Sequence, residues 1–258
     1  MSLRKLPALI LVVLAPSMVF AQVRPALFLE FVSGTEFTVL TAAGVTLAYP
    51  SGIAEEDEIP PGSIVRTGAG TTAELRLRPN GSIVKLARGT SFRVDAVARR
   101  PEQTNQLALI GGKIRAVAAR GGNFEIRTST TVAGVRGTDF TLSYVEGARN
   151  FLLVSRGSVQ FARLGVDGRV LESIMVGAGQ FADLFGPAFR AIPFTAEQFA
   201  AEYGDVEIAP ERLLTVPGQE MDAAAEDDDR EEARAEPAEE SPFARWLKDA
   251  LGFELGSI

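Results

Sequence analysis

The sequence predicts an all-β protein: a β-solenoid-like or rolled β-sandwich module followed by short C-terminal helices. Three observations carry that expectation. Apolar and polar residues alternate with period two in many short runs, a glycine turn separates most of them, and the central stretch has no helical period. Ala73, Leu75 and Leu77 alternate with Glu74, Arg76 and Arg78; Phe92, Val94 and Ala96 with Arg93 and Asp95; Phe124 and Ile126 with Glu125 and Arg127; Phe140, Leu142 and Tyr144 with Thr141 and Ser143. Each run predicts a strand with one buried face. Between them stand Gly68-Ala69-Gly70, Pro79-Asn80-Gly81, Arg88-Gly89, Gly111-Gly112, Gly121-Gly122 and Asp167-Gly168, where the chain can adopt positive φ without a Cβ clash.

The chain ahead of the module reads as a leader. Arg4 and Lys5 precede an apolar stretch from Leu6 to Phe20 that is interrupted by Pro16 and Ser17, and Val19-Phe20-Ala21 has the form of a signal-peptidase site. Residues 1–21 are therefore expected to be a signal peptide cleaved after Ala21, since this stretch falls short of the roughly 20 residues that span a bilayer. Export to the periplasm or the extracellular space is the expectation, with no stable membrane span in the mature form.

The β module is assigned to residues 22–190, and an internal repeat sharpens its outline. Gly62-Ser63-Ile64-Val65 recurs as Gly81-Ser82-Ile83-Val84, with looser echoes at Gly112-Lys113-Ile114 and Gly157-Ser158-Val159. Repeated strands behind glycine corners suit a β-solenoid, while the irregular spacing of the later echoes suits a rolled antiparallel sandwich. Next, residues 191–217 form a capping helix and extension. Thr195-Ala196-Glu197-Gln198 has the form of a capping box and Phe199 and Tyr203 stand four apart, so a helix is predicted up to Gly204, packed on the end of the module.

Charge divides the remainder. The 258 residues hold 33 acids and 26 bases, a formal charge of −7. Residues 218–240 alone carry eleven acids against Arg230 and Arg234, which leaves the module close to neutral and predicts a disordered, self-repelling linker. Residues 241–258 are predicted to form an amphipathic C-terminal helix. There Ser241 caps, Pro242 takes the first position, and Phe243, Trp246, Leu247, Ala250 and Leu251 share one face. Such a helix can dock on a partner, fold back on its own domain or lie on a membrane interface, the last disfavoured by its acidic tether, and Phe243, Trp246, Leu247 and Leu251 are candidate partner-binding residues.

The ordered motifs resemble a known family. The run Gly62-Ser63-Ile64-Val65-Arg66-Thr67-Gly68 comes first, followed by Thr72-Ala73-Glu74-Leu75, Asn80-Gly81-Ser82 and Gly112-Lys113-Ile114. Thr131-Val132-Ala133-Gly134-Val135-Arg136-Gly137-Thr138-Asp139-Phe140 is the most specific stretch, and Gly157-Ser158-Val159 and Ala178-Gly179-Gln180 close the series. Together they look like the successive motifs of the FecR domain, over roughly Gly52 to Asp183. In the membrane-spanning regulators for which the family is named, this module is the periplasmic part that receives a signal from an outer-membrane receptor, and a cytoplasmic part controls a sigma factor. Only five residues precede Leu6, so the cytoplasmic part is expected to be absent and the chain resembles exported stand-alone members. The resemblance implies a β-rich envelope module that binds another macromolecule.

Within the signature, the residues themselves suggest structure first. Gly134 and Gly137 belong to the corner, Gly137 permitting the sharp turn; Thr138 is expected to return a hydroxyl hydrogen bond to the backbone; and Phe140 begins a buried face. Arg136 and Asp139 are its polar members. They either close the corner through an ion pair or hydrogen bonds, or present a recognition site to a partner, and they are candidate partner-binding residues on the second reading.

Composition narrows the chemistry. With no His and no Cys, the chain has no Cys or His metal site, no disulfide, no thiolate nucleophile and no Ser-His-Asp triad. Glu55, Glu56, Asp57 and Glu58 form a contiguous acidic loop, whereas glycoside hydrolysis needs two carboxylates converging across a cleft. Neither this loop nor the linker has the alternating pattern of a dedicated calcium site. Asn80-Gly81-Ser82 matches a glycosylation acceptor but is sufficiently explained as a turn. The expected protein is thus not an enzyme and has no cofactor and no metal. Its expected partner is an envelope protein in a signalling role, with self-assembly or glycan binding as alternatives, and nucleic acid is disfavoured by the neutral module and acidic linker.

Overall fold

The computed structural model describes residues 24–99, 103–120, 123–213 and 215–216. In chain order, β1 (Ala26–Ser33), β2 (Phe37–Leu40), β3 (Thr46–Ala48), β4 (Glu58–Ile59), β5 (Ile64–Thr67), β6 (Thr72–Arg78), β7 (Ile83–Leu86) and β8 (Ser91–Ala96) lead to the long β9 (Asn105–Val117). After it come β10 (Asn123–Arg127), β11 (Thr131–Arg136), β12 (Asp139–Val145), β13 (Arg149–Arg156), β14 (Ser158–Leu164), β15 (Val170–Gly177), β16 (Gln180–Asp183) and β17 (Ile192–Pro193). Two short helices follow, α1 (Ala196–Tyr203) and α2 (Pro210–Leu213). The fold is all-β, as the alternation and the glycine turns predict.

Strand pairing arranges the chain in two layers. One runs β4-β1-β6-β7-β9-β12-β13-β16-β17 and the other β3-β2-β5-β8-β9-β10-β11-β14-β15. β9 belongs to both: its first half pairs with β8 and β10, its second with β7 and β12. Gly112 marks the crossing. Its φ is +101°, and a Cβ there would stand 2.6 Å from the Thr90 hydroxyl, so only glycine fits. Every ladder is antiparallel except β9–β10. Hairpins that alternate between layers are the pairing of a rolled sandwich, whereas stacked solenoid rungs pair in parallel.

The inner faces close on one apolar core. Phe37, Phe92, Phe140 and Phe161 are fully buried in it with Leu75, Leu142, Leu152 and Val159. At roughly 1.5–3 kcal/mol for each fully buried large side chain, this burial is the main stabilising contribution. The predicted alternation holds for the second layer, but in the first layer both faces are covered. Glu74, Arg76, Lys85, Arg115, Thr141 and Ser143 point outward from it and are buried all the same.

The covering is the segment from Phe194 to Val216. Thr195 caps α1 as predicted, accepting from the Gln198 amide at 3.2 Å while Gln198 accepts from the Thr195 amide at 2.8 Å. α1 lies across the outer face of the first layer and not on the end of the module. Phe199 and Tyr203 stack at 4.2 Å between ring centres, and with Phe194 they pack on Phe151, Leu153 and Phe181. Further along, Ile208, Leu213 and Val216 pack on Ile83, Val117 and Ala119. No helix among the described residues is long and apolar enough to cross a membrane. The predicted signal peptide, acidic linker and C-terminal helix, with Phe243, Trp246, Leu247 and Leu251, lie outside the described residues.

Candidate functional site

The signature corner joins β11 in one layer to β12 in the other. Gly137 takes φ +58° at the turn, as the corner requires. Phe140, Leu142 and Tyr144 continue from it as a buried face. Thr138 differs from expectation. Its hydroxyl is fully buried with no hydrogen-bond partner among the described residues, and it is the Thr138 carbonyl that accepts, from Ala118 at 2.8 Å. The methyl group explains the placement, since Thr138 Cγ2 packs so close to Gly157 that a Cβ there would stand 2.7 Å away.

The corner separates its two polar residues. Asp139 turns under the covering segment, where Arg115 grips both carboxylate oxygens at 2.9 and 2.7 Å and the Tyr203 hydroxyl donates to Oδ1 at 3.2 Å. The Arg115 guanidinium lies 4.7 Å from the Tyr203 ring centre, a cation–π contact. Burial opposes the charge of Arg115, but the hydrogen bonds and charge of Asp139 outweigh it, and the pKa is raised. Burial likewise pushes the Tyr203 hydroxyl well above the ordinary tyrosine value, assisted by the Asp139 charge. A cleft of about 560 Å³ opens beside this cluster, lined also by Ser155, Phe199, Glu207 and Leu213.

Arg136 instead faces outward from the second layer. It is exposed at the end of β11, and its Nε donates to Asn123 Oδ1 at 2.8 Å. Arg136 and Asp139 therefore do not close the corner as an ion pair; each has its own partner. Arg136 borders a shallow groove of about 460 Å³ on the outer face of the second layer, with Glu125, Gly134, Gln160 and Met175. Gly134 forms part of its floor: no atom lies within 3.9 Å of where its Cβ would be, so a side chain there would fill the groove. The strand register places Gly134 opposite Gln160, and Gln160 opposite Met175. The groove thus offers a cation, an acid, an amide and a thioether, a set suited to binding a polypeptide.

The other polar candidates are occupied in holding the fold. Glu55 accepts from the Val32 amide at 3.2 Å, Asp57 from the Ala54 amide at 2.8 Å, Glu56 pairs with Arg78 at 2.7 Å and Glu58 with Arg24 at 2.7 Å. These four do not converge across a cleft. Asn80 Oδ1 accepts from the Ser82 amide at 2.9 Å, the local turn expected of it. Among the described residues no group of three or more Asp or Glu could hold a metal ion.

Sequence reasoning missed the most heavily bonded cluster. Glu202 of α1 is buried, accepts from the Ser143 hydroxyl at 2.8 Å, and forms ion pairs with Arg149 and, at 3.5 Å, with Lys113. Lys113 also binds Asp205 at 3.0 Å, and Arg212 bridges to Glu74 at 2.6 Å, which pairs with Lys85 at 2.9 Å. The only available signal was the polar half of the alternation in β6, β9 and β12, which reads equally well as a solvated face.

Comparison with known proteins agrees with the ordered motifs. Residues 63–160 match the family model described as FecR protein. Two crystal structures of a proposed anti-sigma factor from Parabacteroides distasonis ATCC 8503, at 1.65 and 2.50 Å resolution, align at 16% identity with TM-scores of 0.41 and 0.40. Each alignment covers 51% of this chain and 58% of the other, so the chain spans somewhat more than half the length of these relatives. No curated protein matches the chain. The matched span runs from the residue before β5 into β14 and includes the whole signature corner, so residues 63–160 are similar to the FecR domain.

Proposed function

We propose that the chain is an exported, non-catalytic module that binds another protein of the cell envelope as part of envelope signalling. The observation that carries this reading is the FecR match over residues 63–160, a family whose role is regulatory. The arrangement of the signature supports a place for recognition. Asp139 is engaged inward by Arg115, so Arg136, beside the groove floored by Gly134, is the polar member of the corner that an approaching partner meets. A side-chain set of this kind fits an extended segment carrying an acidic residue for Arg136 and an apolar one for Met175.

Capture from envelope extract tests the reading. Full-length mature protein is expected to retain an envelope protein that Arg136→Ala loses, with unchanged melting of the variant. A chain ending at Pro217 keeps the partner if recognition is on the module. Loss of the partner on that truncation, with Arg136→Ala unaffected, would move recognition to Phe243, Trp246, Leu247 and Leu251. Recovery of the protein from the cytosol of its host would refute export.

A further inference from the structure

The two layers end in four edge strands, and three are guarded. β4 has two residues, β3 has three, and β17 has two, one of them Pro193. Short edges and proline are the usual protection against pairing with another chain. β15 is different. It has eight residues, Val170-Leu171-Glu172-Ser173-Ile174-Met175-Val176-Gly177, contains no proline and no lysine, pairs only with β14, and is regular from Glu172 to Gly177 beyond a single bulge at Leu171. No backbone hydrogen bond among the described residues reaches its other side from Val170 to Val176. Val170, Leu171 and Met175 are 57%, 62% and 58% exposed, an unusual apolar load for a free edge.

We propose that β15 is a homodimer edge, pairing antiparallel with β15 of a second copy so that the two second layers form one continuous sheet. The sequence of the strand selects both partner and register. In an antiparallel pair, opposite residues share a face, and in β15 Ser173 and Met175 face outward with Gln160 and Ala162 of β14 as their partners. A two-fold axis through Ser173 keeps outward residues opposite outward residues. Over the regular stretch it sets Glu172 against Ile174, and it brings Leu171, which a bulge opposite Leu164 leaves out of the β14 ladder, beside Met175 of the second copy twice. No like charges face each other, and the exposed apolar side chains Leu171 and Met175 gain cover. An axis through Glu172 would oppose two glutamates, and any register differing by one residue in the sum would place outward side chains against inward ones. Self-complementarity of this kind is what an isologous interface requires.

This inference shares Met175 with the groove beside Arg136, which the second copy would partly cover, but its test uses purified protein alone and so reads separately from partner capture. Light scattering and sedimentation of the full mature chain are expected to give a dimer at tens of micromolar. Leu171→Lys combined with Met175→Lys, both at exposed positions, is expected to weaken association by about tenfold or more with unchanged circular dichroism. The chain has no cysteine of its own, which allows a direct check of the register. Ser173→Cys is expected to form a disulfide-linked dimer on mild oxidation, because opposed residues in an antiparallel pair lie within disulfide reach. Thr46→Cys, on the short edge of β3, is expected to stay monomeric. A wild-type monomer at every concentration, a dimer that survives the double lysine variant, or a Ser173→Cys dimer that forms no faster than the Thr46→Cys one would overturn the proposal.

Discussion

Asp139→Ala probes the link between the signature corner and the covering segment. The substitution leaves the Arg115 guanidinium, whose side chain is 9% exposed, against the Tyr203 ring without the carboxylate that binds it at two points. It also takes the acceptor from the Tyr203 hydroxyl. Removing one member of a buried ion pair costs about 3–5 kcal/mol, and the 13% exposure of Asp139 places this case near the lower end, at about 3 kcal/mol. For a folded body of this size, ~1 kcal/mol moves the midpoint by about 2–4 °C, so thermal unfolding should drop by roughly 6–12 °C. Replacing both partners, Asp139→Leu with Arg115→Met, removes the stranded charge and should be less damaging than the two single substitutions added together, by about 1–3 kcal/mol in a double-mutant cycle. Calorimetry with urea titration measures both quantities. If Asp139→Ala melts within about 1 °C of wild type, or if the two substitutions simply add, the inward pairing of the signature aspartate is not what fixes the corner.

Four further outcomes follow from the same geometry. Burial keeps Tyr203 protonated in the folded state at pH values where the unfolded chain ionises, near 10, so the folded state binds more protons there and stability falls as pH rises above about 10. Tyr203→Phe should flatten that part of the stability–pH curve; an unchanged slope would contradict it. Asn150, fully buried, places its Nδ2 at 2.9, 2.8 and 2.9 Å from the hydroxyls of Thr128, Thr130 and Thr131, its two hydrogens shared among them, and Asn150→Ala should cost about 2–3 kcal/mol by chemical unfolding through the hydroxyls it leaves unpaired. Gly112→Ala forces a Cβ into Thr90 at positive φ and should cost more than about 2 kcal/mol, lowering the yield of folded protein. Arg136→Ala, at an exposed position, should stay within about 0.5 kcal/mol of wild type in melting.

The strands and turns were legible because they depend on local rules. Phe140, Leu142 and Tyr144 alternate with polar neighbours and are buried, Gly137 has the positive φ its place in the corner demands, and Thr195 with Gln198 builds the capping box it spells. What could not be read was long-range. The alternation in β6 marks Glu74 and Arg76 as a solvent face, and it is the return of the chain at Arg212 that engages Glu74 in an interior. Desolvating those charges is tolerable because nearly all of them are paired, some with residues about 60 to 140 positions away in sequence. The choice between solenoid and sandwich was open for a similar reason: repeated Gly-Ser-Ile-Val units specify a strand after a corner but not the direction of its neighbour. The signature pair shows the same limit. Arg136 and Asp139 are three residues apart, yet the turn sends them to opposite outer faces, and the partner of Asp139 lies 24 residues away on β9.

The central claim is that this FecR-like module meets an envelope protein at the exposed half of its signature corner. Site-specific photocrosslinking in the native host tests it most directly, with a photoreactive residue placed at 136 in the full chain and, as a control, at the exposed Val45 on the loop between β2 and β3. The expected result is one discrete adduct with an envelope protein from position 136 and none from position 45. No adduct from 136, or the same adducts from both positions, would contradict the account.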